Sequence, residues 1–423
     1  MYKKNLLGFA LLSIHFICAY ESNTIIENIP GFSTPLSVAV TPNGEFVYVV
    51  NLGNNSANVI STTTNTLLST PQLNNIFNVS QSLAITPNGE FVYIASAGNG
   101  SVVVIETSSN MVISTPNFVS AFNYPESLAI TPNGNFAYVA TDAVNVLNLS
   151  NNSILATPGL DSGFSAPDFV AITPDGNFAY VTNLFSAAVT VIDTASNTIL
   201  PAPGLSSGFY FPQSISITPD GAFAYVANGL TSNSVVVIDI ATNTIVPTPG
   251  LTGVFGSPVS IAFTPDNKYG YVSDSGSNTV SVIDIASNTV IDTITGFDSP
   301  QTITITPNGQ FAYVANSNNN TVSVIFIGVH IPSNFKGCQR KTQNEYSNYL
   351  HWAAPAGGNK PVSYAIYSDA ALTQLVATVP AYGCLQYFDH NINPNIEYTY
   401  YLAAIDTLGN ISSPAVTTVT QHC

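Results

Sequence analysis

Glu126 and Asp168 are the side chains of this sequence whose type and spacing best suit chemistry. Each precedes a strand-like segment in one of two successive copies of a repeat, so we expect the two carboxylates on adjacent structural units. Two carboxylates suffice for acid and base catalysis of glycoside hydrolysis, and carboxylate oxygens also bind Ca²⁺. Asp142 is a third acid in the same part of the sequence. These acids predict an acidic focus for a polar ligand.

The equivalent position of each repeat predicts a ring of seven side chains near the mouth of a central channel. Five of these ring residues are polar, and we predict that they bind the ligand: Gln81, Glu126, Asp168, Gln213 and Gln301. The other two are Leu36 and Val259. The alternative interpretation is a solvated rim without a ligand, because polar side chains are ordinary at a protein surface.

Four aromatic residues lie in the loops that we place on the same face: Tyr124, Phe185, Tyr210 and Phe211. We predict that they dock a protein or stack on a sugar, and the alternative is packing between the loops. A second aromatic set recurs once in each of the five longer loops and is predicted to be structural. It consists of Phe77, Phe122, Phe164, Phe209 and Phe255.

The side chains that most enzymes use are missing from the long middle part of the chain. Residues 22–328 contain no His, Cys, Arg or Trp and a single Lys, Lys268. Zinc, copper and haem sites and Ser-His-Asp triads usually need members of this set, and Arg or Lys usually clamps anionic substrates. We therefore predict no enzyme, no catalytic residue and no metal site, and no cofactor unless it is Ca²⁺. Asp193, Asp239 and Asp284 recur at one repeat position and are predicted to cap hairpins.

A repeat of seven copies supplies the elements that must position these residues. The segment Thr-Pro-Asn/Asp-Gly, followed by an apolar strand, begins at Thr41, Thr86, Thr131, Thr173, Thr218, Thr264 and Thr306. Periods of 42 to 46 residues with four strand-like segments each are typical of propeller blades. Pro and Gly suit a tight hairpin, and Asn267 replaces Gly in the sixth copy because Asn tolerates positive φ. The strand after the hairpin is apolar on both faces, which predicts burial between packed sheets.

The two ends of the repeat predict a closed ring. The seventh copy stops after its third strand at 321–327, and residues 23–27 match the missing fourth strand. The repeats resemble the YVTN family of β-propellers, whose name is the sequence Tyr180-Val181-Thr182-Asn183. The resemblance covers residues 23–328 and implies an exported or surface-associated propeller without a defined activity.

Residues 329–423 are predicted to form a small β-sandwich, joined to the repeats by a linker at 328–336. Segment 350–355, which contains Trp352, segment 398–406 and segment 409–414 resemble two strands and a turn of a fibronectin type III module. That resemblance implies a spacer or an adhesive unit. The whole chain is thus predicted to be all-β, with a seven-bladed β-propeller at 20–328 followed by the sandwich.

Residues 1–19 are typical of a secretory signal peptide, since Lys3 and Lys4 precede an apolar run from Leu6 to Ile17. We predict a secreted, periplasmic or cell-surface protein that is not inserted in a membrane after cleavage. Three cysteines then remain in an oxidising compartment, and one disulfide is expected. We assign it to Cys338 and Cys384, although the sequence leaves a pairing with Cys423 open.

The formal net charge is −16, and it becomes −18 once Lys3 and Lys4 are removed. This charge argues against nucleic acid and anionic membranes as partners, because both are bound through clustered Lys and Arg. We predict a binding protein whose propeller loops hold a protein or a glycan. The alternatives are a lactonase-like or glycosidase-like hydrolase that uses Glu126 and Asp168, and a purely structural envelope component.

Overall fold

The computed structural model of the chain describes residues 23–229, 232–327, 333–341, 346–354, 361–381, 385–390, 392–393, 396–405, 411–412 and 414–419. Contacts divide it into two compact units, the larger formed by the repeats and the smaller by the C-terminal strands, and each is described by itself. Strands and short 3-10 turns are the regular elements of these residues. The described part contains no helix with the length and apolar character needed to cross a membrane.

Seven antiparallel sheets of four strands form the larger unit, one sheet for each repeat. The first three blades contain β2 (Pro35–Val40), β3 (Phe46–Asn51), β4 (Ser56–Ser61) and β5 (Thr66–Leu67); β6 (Ser80–Ile85), β7 (Phe91–Ser96), β8 (Ser101–Glu106) and β9 (Met111–Ile113); β10 (Ser127–Ile130), β11 (Phe136–Ala140), β12 (Val144–Asn148) and β13 (Ser153–Ile154).

The remaining four blades repeat this order, except that the outer strand of the last blade comes from the N-terminal end. They contain β14 (Pro167–Ile172), β15 (Phe178–Asn183), β16 (Ala188–Asp193) and β17 (Thr198–Leu200); β18 (Pro212–Ile217), β19 (Phe223–Asn228), β20 (Ser234–Asp239) and β21 (Thr244–Val246); β22 (Pro258–Phe263), β23 (Tyr269–Asp274), β24 (Thr279–Asp284) and β25 (Thr289–Thr295); β26 (Pro300–Ile305), β27 (Phe311–Asn316), β28 (Thr321–Phe326) and β1 (Thr24–Pro30).

The ring is closed by β1, as the sequence predicted. This strand pairs antiparallel with β28, with Thr24 opposite Phe326 and Pro30 opposite Thr321. The innermost strands of the seven blades contact one another in cyclic order, and β26 of the last blade contacts β2 of the first. The larger unit is therefore a seven-bladed β-propeller. Closure leaves no inner strand with an unpacked side, which removes a route to aggregation.

The second strand of each blade is buried on both faces, and this explains its apolar sequence. In β3, Val47 and Val49 enter the apolar core shared with blade seven, whereas Tyr48 and Val50 enter the core shared with blade two. Equivalent cores fill each of the other junctions between blades. A strand with two apolar faces can be buried only between two neighbours, so the blades stabilise one another.

The tyrosine of each second strand makes a hydrogen bond to the next blade. Burial raises the pKa of Tyr48 to about 12, so its hydroxyl stays protonated and donates to Asn110 Oδ1 over 2.6 Å. The other pairs, from blade two to blade seven, are Tyr93–Asn152 at 3.4 Å, Tyr138–Asn197 at 2.6 Å, Tyr180–Asn243 at 2.6 Å, Tyr225–Asn288 at 2.5 Å, Tyr271–Asn23 at 3.1 Å and Tyr313–Asn65 at 2.7 Å. The last two pairs join the blade built from both ends of the repeat region to its neighbours.

The Thr-Pro-Asn/Asp-Gly segments form the predicted hairpins. Gly44 has a φ of 75° and Asn267, its counterpart in blade six, has a φ of 59°, so both adopt the left-handed conformation. The Thr41 hydroxyl donates to Asn43 Oδ1 over 2.6 Å and accepts the Phe46 N–H over 3.0 Å. These bonds satisfy the polar groups of the turn at the start of the second strand.

The five longer entry loops each contain a 3-10 turn, which places a buried Leu or Phe between two blades. These turns are Pro71–Leu73, Pro116–Phe118, Pro158–Leu160, Pro203–Leu205 and Pro249–Leu251, and a sixth turn, Ala97–Asn99, follows β7. The recurring phenylalanines pack in the same cores, so their predicted structural role is confirmed. At the two junctions without the insert, Phe297 and Phe32 fill the equivalent space.

The smaller unit contains two antiparallel sheets, as expected for a β-sandwich. One has the order β29–β30–β33 and the other β32–β31–β34–β35. Between the two sheets, Trp352 packs edge-on to Tyr364 at 5.4 Å between ring centroids, and the Tyr400 hydroxyl donates to Asp389 Oδ2 over 2.6 Å. The strands are β29 (Ser333–Lys341), β30 (Tyr346–Ala353), β31 (Ser363–Tyr367), β32 (Leu375–Pro380), β33 (Gln386–Asp389), β34 (Tyr398–Ile405) and β35 (Ala415–Val419).

The predicted linker at 328–336 is wrong at its C-terminal end, because β29 already begins at Ser333. Phe335 is buried against Trp352 with 6.3 Å between the ring centroids, so this part of the segment contributes to the core of the sandwich. The sequence contained a strand signal here, because apolar Phe335 is followed by charged Lys336. In the structure Phe335 is buried and Lys336 is exposed.

We expect Tyr225→Phe to lower the free energy of unfolding of the propeller by about 1 kcal/mol, because it removes the 2.5 Å bond to Asn288 and leaves this half-buried acceptor without its donor. Tyr93→Phe is the matched control, since its hydrogen bond is 3.4 Å long and should contribute less. Urea denaturation followed by far-ultraviolet circular dichroism measures both, because the single Trp, Trp352, lies outside the propeller. Equal losses in the two variants would contradict a role for the hydrogen bond.

Candidate functional site

A β-bulge carries the ring residue of six blades. In blade one, Pro35 pairs with Asn51 and Ser37 pairs with Val50, so Leu36 is the extra residue. The same interruption of register includes Gln81, Asp168, Gln213, Val259 and Gln301. In blade three, Glu126 directly precedes β10, and its N–H donates to the Ala140 carbonyl over 3.0 Å. A bulge re-aims its side chain out of the regular alternation, which presents one residue per blade at the loop end of the inner strand.

The entry loops next to the ring are held in an unusual conformation. The residue two positions before the ring residue has a positive φ in six blades: Thr34, Val79, Tyr124, Ala166, Phe211 and Ser299. A positive φ is uncommon for a residue with a branched or aromatic side chain. It is maintained by the amide at the end of the second strand, because Asn183 Oδ1 accepts the Ser165 N–H over 3.0 Å and Asn51 Oδ1 accepts the Ser33 N–H over 3.1 Å. The mouth of the channel is therefore built on anchored loops.

Three of the predicted ring residues form a coupled set on blades two, three and four. The Gln81 amide donates to Glu126 Oε2. Burial and, to a smaller extent, the negative charge of Glu126 on the neighbouring blade together raise the pKa of Asp168 to about 7. Burial also raises the pKa of Glu126. Asp168 is half-buried, and its carboxylate accepts no hydrogen bond from the described residues.

In this arrangement the Asp168 carboxyl, which changes its protonation near neutral pH, lies beside the Glu126 carboxyl. As a carboxylate, Asp168 accepts hydrogen bonds from hydroxyl or ammonium groups, and as a carboxylic acid it donates one. A carboxyl with a pKa near 7 also suits general acid or base catalysis. The geometry is thus compatible with binding of a polyhydroxylated ligand and with carboxylate chemistry.

The other predicted ring residues do not join this set. Gln213 occupies the next blade, and its Oε1 atom is buried without a hydrogen-bond partner. Gln301 lies on blade seven and donates to the Ser299 carbonyl over 3.1 Å and to Ser317 Oγ over 3.3 Å, so it fastens its own entry loop. Asp142 is exposed and accepts a hydrogen bond from Asn123 over 3.0 Å. The acidic focus therefore consists of Glu126 and Asp168.

The four predicted interaction aromatics are exposed on blades three to five. The exposed fraction is 66% for Tyr124, 76% for Phe185, 60% for Tyr210 and 39% for Phe211. Three lie in entry loops, and the Phe185 N–H donates to the Ser165 carbonyl in the entry loop of its own blade over 3.3 Å. Packing between loops therefore does not bury these four side chains. Blades three to five carry both carboxyl groups of the acidic focus and all four aromatics.

The recurring aspartates of the outer hairpins act as caps, as predicted. Asp193 Oδ1 accepts the Ser196 N–H over 2.8 Å and its hydroxyl over 2.9 Å, which lowers the pKa of Asp193. Asp239 and Asp284 make the same bonds to Thr242 and Ser287.

Within the described ranges, no group of three or more His, Cys, Asp or Glu side chains is arranged to hold a metal ion. A role for Ca²⁺ stays an expectation from the sequence. The disulfide between Cys338 and Cys384 also stays a prediction, because Cys384 and Cys423 lie outside the described residues.

Two clefts lie on the opposite face of the propeller, which the sequence analysis did not consider. One of about 490 Å³ lies between blades two and three and is lined by Phe91, Tyr93 and Asn133, among others, and one of about 290 Å³ lies between blades three and four. In the larger cleft, the Asn88 amide donates to Glu90 over 2.8 Å within its own hairpin. At the channel mouth, in contrast, the Asp168 carboxyl has no hydrogen-bond partner among the described residues.

The sequence analysis did not recognise the left-handed residue and the β-bulge that present the ring side chains. The signal was present, because a loop residue followed by Pro and the ring residue recurs in six blades, as in Tyr124-Pro125-Glu126 and Phe211-Pro212-Gln213. This pattern marks the left-handed residue and the bulge that present the ring side chain in most blades.

Comparisons with known proteins agree with the propeller fold. A family model described as lactonase, 7-bladed beta-propeller, matches residues 254–330. A chain of the solved Kuenenia stuttgartiensis hydrazine synthase is similar with a TM-score of 0.61 and 20% identity, and the match covers 70% of this chain and 97% of that chain. No curated protein matches the sequence. At this level of identity the structural likeness shows the fold alone.

Titration of Asp168 predicts how stability changes with pH. The unfolded chain releases this proton near the ordinary pKa of 3.8 and the folded chain near 7. The folded state thus binds more protons in this window, so the free energy of unfolding falls as pH rises through it. We expect Asp168→Asn to stabilise the protein by roughly 1–3 kcal/mol at about pH 8 and to have little effect at about pH 4.

Thermal denaturation of the variant and its parent across this pH range measures the effect. Asp142→Asn removes an exposed carboxylate of the same blade region and is the control. If Asp142→Asn and Asp168→Asn respond alike, the shift does not arise from burial beside Glu126.

Proposed function

We propose that this chain is an exported binding protein whose propeller holds a glycan at the mouth of its channel on blades two to five. The observation that carries the proposal is the half-buried Asp168 carboxyl, which has no hydrogen-bond partner among the described residues and lies beside Glu126. The carboxylate oxygens are open to solvent, so the hydroxyl groups of a glycan could replace water as their hydrogen-bond donors.

The charge of the site favours a neutral or amino sugar over an anionic ligand. Lys268 is the single Lys or Arg of residues 22–328, and it lies in the hairpin of blade six, 3.8 Å from Asp266. No cation therefore compensates an anionic ligand near Glu126 and Asp168. Gln81 and Gln213 flank the acids on either side and add neutral amide groups.

The exposed aromatics provide the second half of a glycan site. Tyr124 and Phe211 each precede a ring residue by two positions, and Phe185 lies in the loop of the blade between them. Aromatic rings offer apolar faces to the carbon-bound hydrogens of a sugar, and tyrosine adds a hydroxyl group. Exposed aromatic groups of this kind mark interaction sites more often than isolated surface residues do.

The proposed location is outside the cytoplasm, and it rests on the signal-like residues 1–19 and on the resemblance of the repeats to exported YVTN propellers. The C-terminal sandwich, which resembles a fibronectin type III module in its core Trp352, would then act as a spacer or an adhesive unit. The mass of the secreted chain tests this part, since cleavage after Ala19 removes Lys3 and Lys4.

A hydrolase is the second candidate, because Asp168 and Glu126 have the electrostatic features of an acid–base pair. The partial match to a lactonase propeller model at residues 254–330 favours the same candidate, although Glu126 and Asp168 lie outside the matched segment. In this role one carboxyl would donate a proton to the leaving oxygen and the other would activate water.

We expect the mature chain to bind neutral or amino-sugar glycans on an array, and the double variant Glu126→Gln, Asp168→Asn to weaken that binding at least about tenfold. Tyr124→Ala and Phe211→Ala should weaken it by a smaller factor. Gln301→Ala is the matched control, because this ring residue bonds to its own loop on blade seven. Binding that survives the double variant but is lost on Gln301→Ala would contradict the assigned position.

Turnover distinguishes the two candidate functions. We expect the intact chain to leave bound glycans and simple lactones unhydrolysed over hours at pH 6–8, as measured by product chromatography with roughly equimolar protein and substrate. Hydrolysis that disappears in Asp168→Asn would replace the binding function by the hydrolase.

A further inference from the structure

The outward face of the three-stranded sheet carries a cluster of basic and aromatic side chains. Its members alternate with inward-facing residues along β29, β30 and β33 and at the residue after β33, and we call this cluster the basic aromatic face. It consists of Lys336, Arg340, Tyr349, His351, Phe388 and His390. Cross-strand pairing assembles it, since Lys336 lies opposite His351 and Tyr349 lies opposite Phe388.

Positive charge is concentrated on this face in an otherwise acidic chain. The sequence has seven Lys and Arg residues, of which five follow the predicted signal peptide, and three of these five lie in β29. Two of these three, Lys336 and Arg340, belong to the basic aromatic face. Two of the four histidines beyond the signal peptide, His351 and His390, belong to the same face. The chain as a whole has a net charge of −16, so this concentration is a local feature.

Arg340 is ordered by its aromatic neighbours and not by a carboxylate. Its guanidinium carbon lies 3.9 Å from the centroid of the Tyr349 ring and 5.7 Å from that of Phe388. The Arg340 guanidinium makes no hydrogen bond or ion pair with the described residues. Asp389 is buried on the inner side of the same sheet, where it accepts the Tyr400 hydroxyl. The guanidinium therefore offers its planar set of donors to an anion from outside.

The rings of the face form a continuous row beside this guanidinium. The centroid distance is 4.9 Å from Tyr349 to Phe388, 6.3 Å from Phe388 to His390 and 5.5 Å from Tyr349 to His351. Lys336 and Arg340, four residues apart along the strand, are separated by about 13 Å. Two cations with Cys338 between them, beside a row of half-buried rings, fit an extended ligand with spaced negative charges.

We propose that the basic aromatic face binds an acidic polysaccharide, with a uronate carboxylate at Arg340, which Tyr349 holds in place, and a sugar ring stacked on Phe388. The site is separate from the channel mouth and does not rest on the function proposed above. A polysaccharide with one charge per one or two sugars fits better than nucleic acid. Nucleic acid carries a charge at every phosphate and requires more cations than this face has, within a chain of net charge −16.

The test measures binding of the full mature chain to immobilised polygalacturonate, dextran and a thymidine oligonucleotide, at low and high salt. We expect binding to polygalacturonate that weakens with salt and no binding to dextran at this face. Arg340→Gln should weaken it at least about tenfold, since a charge-assisted pair is lost. Arg340→Lys should recover part of the loss, because it restores the charge without the planar donors.

Lys268→Gln is the matched control, since it changes the net charge equally on an exposed propeller side chain. The double variant Glu126→Gln, Asp168→Asn should leave polygalacturonate binding intact, which separates this site from the channel mouth. Arg340 is exposed, and a thermal melt of Arg340→Gln checks that the variant is folded. The proposal is overturned if polygalacturonate does not bind, if Lys268→Gln has the effect of Arg340→Gln, or if the oligonucleotide binds more tightly through the same residues.

Discussion

A buried phenol hydroxyl that needs a hydrogen-bond acceptor makes each blade of this propeller depend on the next. The second-strand tyrosines are surrounded by apolar side chains of two blades, and each hydroxyl reaches an asparagine of its neighbour, from Tyr48–Asn110 to Tyr313–Asn65. Leaving such a donor unpaired costs about 1–3 kcal/mol. Because the acceptor always belongs to another blade, only a closed ring satisfies all seven tyrosines.

Closure also creates the candidate site. Residues 126 and 168 are 42 positions apart in the chain, yet the ring places their blades side by side and directs both carboxyl groups to the loop end of the inner strands. Burial there raises the pKa of Asp168 to about 7, with a contribution from the charge of Glu126. The loops that carry Tyr124 and Phe211 are fixed by hydrogen bonds of their backbone N–H groups, so a ligand would meet a preformed surface. Preformed sites lose less entropy on binding than flexible ones.

The two units of the chain differ in the chemistry that they offer. The propeller has carboxylates, amides and exposed aromatics but a single lysine between residues 22 and 328. The sandwich gathers Arg340, Lys336 and two histidines on one sheet face, with Arg340 stacked on Tyr349. One acidic chain therefore carries an acidic cluster in its larger unit and a basic cluster in its smaller unit.

The amino-acid sequence by itself determined the seven blades, the hairpins with Asn267 in place of glycine, the closing N-terminal strand and the capping role of Asp193. These features depend on the spacing of residues within a repeat and on comparison of one repeat with another, and both can be read along the sequence. Only the tertiary structure decided that Gln81, Glu126 and Asp168 are coupled while Gln301 bonds to its own loop. It also placed Ser333 in the first sandwich strand and brought Arg340 onto Tyr349. Contacts between blades and between strands depend on register, bulges and burial, and these arise when distant segments pack together.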